Sequence, residues 1–417
     1  MIGSTPAARI NLSYFGFSLK AVCAFSLSWM AANNLPVDDF AIWAVFFSIS
    51  MVMSSGDFGV GQYILTYMTS SKYDSVAWAS HFCGGLSALI VLAIPVFCLG
   101  MIVANAAGID LLFSGPLCIL VIARLPMIAY AALLQVQDRI HEKRLLDAAP
   151  YVIAIPIMYA MHLYELSVYQ QLIAINFLLA VGGFCTMLRC NTLGVPPYMW
   201  VGMVTIFSTL KKSFPYLLNS ASGILIYGGF IGIFSFYLDS YHIAILSIYH
   251  TVILSLGYQG YDVIFRNYQL RINEPKVFKR LCLFLLLSGT FVFSLLTLIG
   301  VPTLELFYSS YNFIEAELIL FCCFSFLEFG YLLATTRLQM SVSGASVLYR
   351  AAITKICLFL VTASCAFYVA DLTIVKLLCC LILFSVVNIL NLIRMQRSIT
   401  PEFRSNGLYE KNSNQSN

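Results

Sequence analysis

Apolar stretches, each about as long as a bilayer-spanning helix and separated by short polar breaks, follow one another along almost the whole chain. A spanning helix needs about 20 predominantly apolar residues. Twelve stretches meet that demand, near 12–33, 41–67, 79–104, 113–136, 147–163, 167–188, 213–237, 243–264, 280–300, 314–337, 351–370 and 373–394. None shows the alternating segments of about 10 residues that a membrane β-barrel needs, so the expected class is all-α. Only the end of the chain breaks the pattern. From Ser398 the sequence SITPEFRSNGLYEKNSNQSN is polar and poor in apolar residues, the composition of a disordered tail.

Composition agrees with a membrane protein. Of 417 residues, 60% are hydrophobic and 10% charged, against about 25% charged in a soluble domain. A soluble enzyme and an intrinsically disordered chain are both excluded, because this much apolar surface cannot be kept out of water. The 13 cysteines lie almost all within apolar stretches and form no CxxC or Cys/His array. They read as small packing residues rather than disulfide or metal ligands. The first stretch reads as too long for a cleavable signal peptide, and no small-residue cleavage site precedes a hydrophilic domain.

The distribution of charge matters more than the net value of +4. With the N-terminus placed in the cytoplasm, inside segments hold 19 of the 23 Lys and Arg, outside loops hold none, and Lys20, Arg124, Lys355 and Lys376 lie within helices. The outside loops carry Asp38, Asp39, Asp110, Glu165, Asp239, Glu305 and Asp371 instead. That is the positive-inside bias, and one miscounted helix would scramble it. A weak repeat reinforces it. YAALLQVQDRIHEKRLLDAAPYVIAI from Tyr130 and YLLATTRLQMSVSGASVLYRAAITKI from Tyr331 stand 201 residues apart, as do GDFGVGQYILTYM from Gly56 and GYQGYDVIFRNYQ from Gly257. Each pair occupies the same topological place in its half. The expected architecture is an all-α polytopic membrane protein with twelve transmembrane helices in two six-helix lobes, residues 1–195 and 196–397, with both termini cytoplasmic and a polar tail over 398–417. Parallel repeats of this kind are a transporter arrangement with the site between the halves.

Two segments bear a family resemblance. LPVDDFAIWAVFFSISMVMSSGDFGVGQYILTYMTSSK, residues 35–72, resembles the first outside loop and second helix of bacterial polysaccharide flippases, which lead a hydrophobic helix into a D-[FL]-G-x-G-type turn-in. LLQVQDRIHEKRLLDAAPYV, residues 133–152, is similar to their segment after the fourth helix. The chain thus resembles the O-antigen flippases (Wzx type) of the multidrug/oligosaccharidyl-lipid/polysaccharide exporter superfamily, in topology over its whole length and in motif over these two segments. The resemblance implies a flippase of the bacterial inner membrane that moves undecaprenyl-pyrophosphate-linked repeat units by alternating access. Its implied partners are the lipid-linked oligosaccharide, membrane lipids, and the polysaccharide polymerase and chain-length machinery. It implies no enzyme activity, cofactor, metal or nucleic acid. Such a cargo needs a solvated cavity with some cations for its diphosphate.

Charges inside helices are costly, about 2.5–3.5 kcal/mol each at a helix centre on insertion scales, so each needs an account. Arg124, in LVIARLPMIAY, is the first candidate for the diphosphate, since guanidinium binds such oxygens bidentately; the alternative is a salt bridge to one of the intramembrane acids. Lys20 either lines the cavity or snorkels to the interface. Asp57, among Gly56, Gly59 and Gly61, either pairs with Lys20 or Arg124 or takes a proton during transport. Glu328 is either a coupling carboxyl or a partner for Arg337 or Lys355. Lys355 and Lys376 stand near expected helix ends, where snorkelling is the default. His250 reads as a structural histidine, and Pro95, Pro116, Pro126, Pro150, Pro156 and Pro215 mark candidate bends. The rival functions are a multidrug or other lipid-linked-precursor exporter of the same superfamily and a membrane polymerase or ligase. The latter needs a large outside loop bearing Arg and His, which this pattern lacks. No Walker motif is present.

Overall fold

A computed structural model describes residues 6–54, 59–70, 75–106, 110–137, 139–193, 198–227, 230–268, 272, 274–339, 344–368 and 373–413. The first half of the chain forms α1 (Pro6–Asn34), α2 (Val37–Ser54), α3 (Val60–Ser70), α4 (Ser75–Ala106), α5 (Leu111–Ile122), α6 (Leu125–Val136), α7 (Ile140–Leu163) and α8 (Val168–Asn191). The second half forms α9 (Met203–Tyr227), α10 (Phe230–Phe234), α11 (Ser240–Tyr249), a π-helix (His250–Ser255), α12 (Leu256–Asn267), α13 (Pro275–Phe307), α14 (Glu315–Gln339), α15 (Gly344–Tyr368) and α16 (Ile374–Ser413). Among the described residues there is no strand, and nine helical stretches are long and apolar enough to cross a membrane. The protein is a multi-pass membrane protein.

Helix starts follow local chemistry. The Asp110 side chain accepts from the Leu112 amide at 3.0 Å and caps α5. Ser167 and Gln170 form a reciprocal capping box at α8. Pro275 opens α13 where its missing N–H has no partner to lose.

Several apolar stretches that read as single helices are interrupted. The second holds a turn at Gly59 before α3, the fourth is divided into α5 and α6, and the eighth is wound as a π-helix at its centre. The break before α6 has a plain cause. Pro126 offers no N–H to the carbonyl of Ile122, so the chain makes a tight turn through Ala123 and Arg124 before helix resumes. The seventh stretch, expected over 213–237, instead begins at Met203 as α9 and closes with the short α10. At the C-terminus α16 continues to Ser413, through the polar stretch that composition assigns to a disordered tail.

The pairings of the first half recur in the second. α1 packs on α7 as α9 packs on α15, and α6 and α7 pack on α8 as α14 and α15 pack on α16. Likewise α3 and α4 meet α6 as α12 and α13 meet α14. The halves join where α2 meets α10 and α11, where α3 and α4 meet α9, and where α1 meets α12. Helix α13 exposes Leu283, Leu287, Phe291, Leu298 and Leu306, a face that suits hydrocarbon rather than water.

Candidate functional site

Three clusters hold the chemistry of the bundle. The first surrounds Arg124. The turn before α6 gives this residue helical dihedrals (φ −82°, ψ −22°) between two helix segments. Its amide donates to the Val121 carbonyl at 3.1 Å, and its carbonyl accepts from the Met127 amide at 3.1 Å. The side chain borders a cavity of about 150 Å³ shared with Lys20 of α1, Asp147 and Tyr151 of α7, and Thr186 of α8. The Lys20 ammonium stands 5.4 Å from the centre of the Tyr151 ring, so its charge is held within the bundle by ring contact. Among the described residues, neither Arg124 nor Lys20 makes an ion pair within 4 Å.

Among the described residues, Asp147 is an acid on the wall of the same cavity as both cations, and it is hydrogen-bonded by Lys143 at 3.3 Å. The expected partners for Arg124 were intramembrane acids such as Asp57 or Glu328, and Asp147 is a further acid beside it. Asp57 lies outside the described residues. One correction concerns place. Every described wall residue of the cavity belongs to the first half of the chain, so Arg124 and Lys20 meet inside one half rather than between the two. On the α8 wall a side chain at Gly182 would run into Pro150 of α7, which explains the close approach there.

The second cluster is the Glu328 carboxylate in α14. Lys355 Nζ donates to its Oε2 at 2.7 Å and Ser385 Oγ to its Oε1 at 2.7 Å. The ammonium also lies 3.7 Å from the centre of the Tyr331 ring. Glu328 and Lys355 are both 1% exposed. Lys355 therefore does not snorkel. α15 begins at Gly344, earlier than expected, which puts Lys355 about three turns inside the helix and between α14 and α16. Arg337, the other expected partner of Glu328, stacks on Phe278 at 4.3 Å instead. Lys376 is exposed near the start of α16, as its position suggested. His250 opens the π-helix.

The third cluster is the seam between the halves. At the end opposite the N-terminus, Trp29 Nε1 and Asn33 Nδ2 of α1 both donate to the Phe307 carbonyl, at 2.7 and 2.9 Å. Beside them an aromatic chain crosses the seam. Trp43 stacks on Phe40, Phe40 meets Tyr311 at 6.2 Å, and Tyr311 stacks on Tyr241 at 6.1 Å. Burial pushes the Tyr311 hydroxyl up to about 12. At the opposite end Lys212 of α9 stands over Tyr67 of α3 at 5.7 Å, next to a 2.8 Å hydrogen bond between Tyr63 and His81. There α3 abuts α9 so closely that a side chain at Gly59 would strike the Leu217 backbone, and Gly59 also holds a positive φ of 72°. The halves are thus latched at both ends.

Comparison with solved structures places this bundle in a known fold. An inward-facing multidrug resistance MATE family transporter of the MOP superfamily aligns with TM-score 0.64 and 13% identity, covering 96% of this chain and 96% of that one. The lipid II flippase MurJ in an inward closed conformation aligns with TM-score 0.66 and 11% identity, covering 93% of this chain and 86% of that one. A eukaryotic MATE transporter aligns with TM-score 0.61 and 14% identity over 92% and 95% of the two chains. No protein-family profile and no curated protein matches the sequence. At these identities the likeness is one of fold. The chain shares its fold with these MATE transporters and with the lipid II flippase MurJ.

Sequence reasoning misses Asp147, because the expected boundary between an inside loop and the fifth helix falls on it. It also misses the aromatic seam, since Phe and Tyr in such a chain read as lipid-facing or belt residues. The proline two residues after Arg124 is the signal for the break that carries this side chain.

Proposed function

We propose that this chain is a flippase that moves a polyprenyl-diphosphate-linked oligosaccharide, of the O-antigen or a similar polysaccharide type, across a bacterial inner membrane. The observation that carries the reading is the Arg124 and Lys20 pair, two cations in one cavity within the membrane-spanning bundle, with no ion-pair partner within 4 Å among the described residues. Two cations against one acid, Asp147, on the described wall leave a net positive charge at that depth, which favours an anionic ligand. A cavity of about 150 Å³ suits a diphosphate and leaves the glycan to the space between the halves. The flippase reading also agrees with the name of one structural neighbour, a lipid II flippase. Glu328 and Lys355 take the role of structural charge pairing, because each already satisfies the other in a dry interior.

In this reading the elements form twelve crossings in two lobes, 1–195 and 196–397, with both ends in the cytoplasm and with the polysaccharide polymerase and chain-length proteins as downstream partners. Reporter fusions at Asp39, Asp110 and Asp239 are expected to read periplasmic, and those at Lys143, Lys276 and Arg404 cytoplasmic. One firmly inverted loop defeats the twelve-crossing arrangement.

A multidrug exporter is the second reading, favoured by the neighbours named as multidrug resistance transporters. Deletion in the native host separates the two. Loss of surface glycan with lipid-linked repeat units held on the inner leaflet is expected for the flippase. Normal surface glycan with raised drug susceptibility selects the exporter.

A further inference from the structure

Buried polar groups without partners gather along the aromatic seam at the end opposite the N-terminus. Trp43 Nε1, the hydroxyls of Tyr308 and Tyr311, and one oxygen of Glu317 find no hydrogen-bond partner among the described residues. All four residues are buried, Tyr308 at 0% exposure and Glu317 at 5%. They come from both halves of the chain, Trp43 from α2 and the other three from the α13–α14 connection and the start of α14. They sit among rings in mutual contact, Phe40 with Tyr311, Tyr311 with Phe313, and Tyr308 with Phe313.

Buried polar groups in native proteins are nearly always satisfied, so a concentration of exceptions asks for an explanation. A phenylalanine at either tyrosine would fill the same space without leaving a hydroxyl unpaired. Packing alone therefore gives no reason for these hydroxyls.

We infer that this seam is a carbohydrate subsite, used by the cargo glycan when the two halves part at this end. The inference rests on the flippase reading above. The chemistry fits a sugar. Flat apolar rings cover the C–H faces of a pyranose, while an indole N–H, two phenols and a carboxylate meet hydroxyls that both donate and accept. The position fits as well, because the rings lie on the boundary between the halves, where α2 meets α11. Separation of the halves breaks contacts such as Phe40 to Tyr311 and exposes the orphan groups together. In the closed arrangement their unmade hydrogen bonds oppose burial, and a glycan that satisfies them favours the open one.

The test is the double substitution Tyr308→Phe with Tyr311→Phe in the full-length protein, purified and reconstituted into liposomes. Two cargoes are compared: the lipid-linked oligosaccharide extracted from the deletion strain, and bare undecaprenyl diphosphate. The double variant is expected to melt at or above the wild-type temperature, to move the bare lipid at the wild-type rate, and to move the glycan-bearing lipid at least fivefold more slowly. Equal rates for the glycan-bearing lipid overturn the subsite. So does equal slowing of both cargoes, which marks a gate defect, and so does a lowered melting temperature, which marks hydroxyls bonded in the folded core. If wild-type protein moves neither cargo, the flippase reading itself falls and the subsite with it.

Discussion

Glu328→Gln is expected to deplete the protein from the membrane rather than merely slow it. The substitution keeps the shape, but it turns one of the two acceptor oxygens into an NH2 donor and removes the charge that balances Lys355, whose ammonium is 2.7 Å away and equally buried. Breaking a buried pair by removing one member costs about 3–5 kcal/mol, because the other charge stays unpaired in a medium that cannot solvate it. That is a large part of the total stability of a domain. The double variant Glu328→Gln with Lys355→Met removes both charges and should recover most of the lost abundance, since apolar replacements of whole buried pairs are often neutral or stabilising. The Ser385 hydroxyl, which donates to the carboxylate in the wild-type protein, then keeps an acceptor in the amide oxygen of the substituted side chain. Membrane immunoblots and thermal unfolding in detergent measure both variants. A well-folded, abundant Glu328→Gln protein that no longer transports reverses the assignment and makes Glu328 a coupling carboxyl.

Arg124→Ala is expected to do the opposite: to abolish surface glycan while the protein remains at near-normal levels. Arg124 holds no ion-pair partner within 4 Å among the described residues, so its removal leaves no contact acid stranded. Asp147 keeps its hydrogen bond from Lys143. The turn that carries Arg124 is made by Pro126 and backbone hydrogen bonds, which alanine leaves intact. Arg124→Lys retains the charge but loses the two-pronged geometry of guanidinium toward phosphate oxygens, so partial activity is expected. Complementation of the deletion strain, with immunoblots of the same membranes, reads both variants. Full activity of Arg124→Ala removes this residue from the cargo site. Depletion of the protein, rescued by Asp147→Asn, makes Arg124 one side of a structural pair.

Much of the candidate chemistry is legible in the sequence. The intramembrane charges stand out against apolar neighbours, and the proline two residues after Arg124 announces a break. Their partners are not legible there. Glu328 has two candidate cations, Arg337 and Lys355, and only the packing of α15 between α14 and α16 selects Lys355 while Phe278 takes Arg337. Ser385, 57 residues beyond Glu328, carries no signal. Asp147 falls on the expected boundary between loop and helix because its helix begins at Ile140, well before the apolar run does.

Local terms are enough to establish an all-helical membrane protein, the break at Pro126 and the set of charges at depth. Those terms are apolar length, a missing N–H, and a charge that hydrocarbon will not solvate. Which faces meet is settled only by contacts between distant segments. These put Arg124 and Lys20 inside one half, close the Glu328–Lys355 pair, and turn Trp43, Tyr308 and Tyr311 onto the seam instead of toward lipid. The reason is the solvent. Lipid tails are as apolar as Leu or Phe, so no hydrophobic force tells an apolar helix which side to bury. Close packing and hydrogen bonds between helices far apart in the chain make that choice, and neither is written in any one segment.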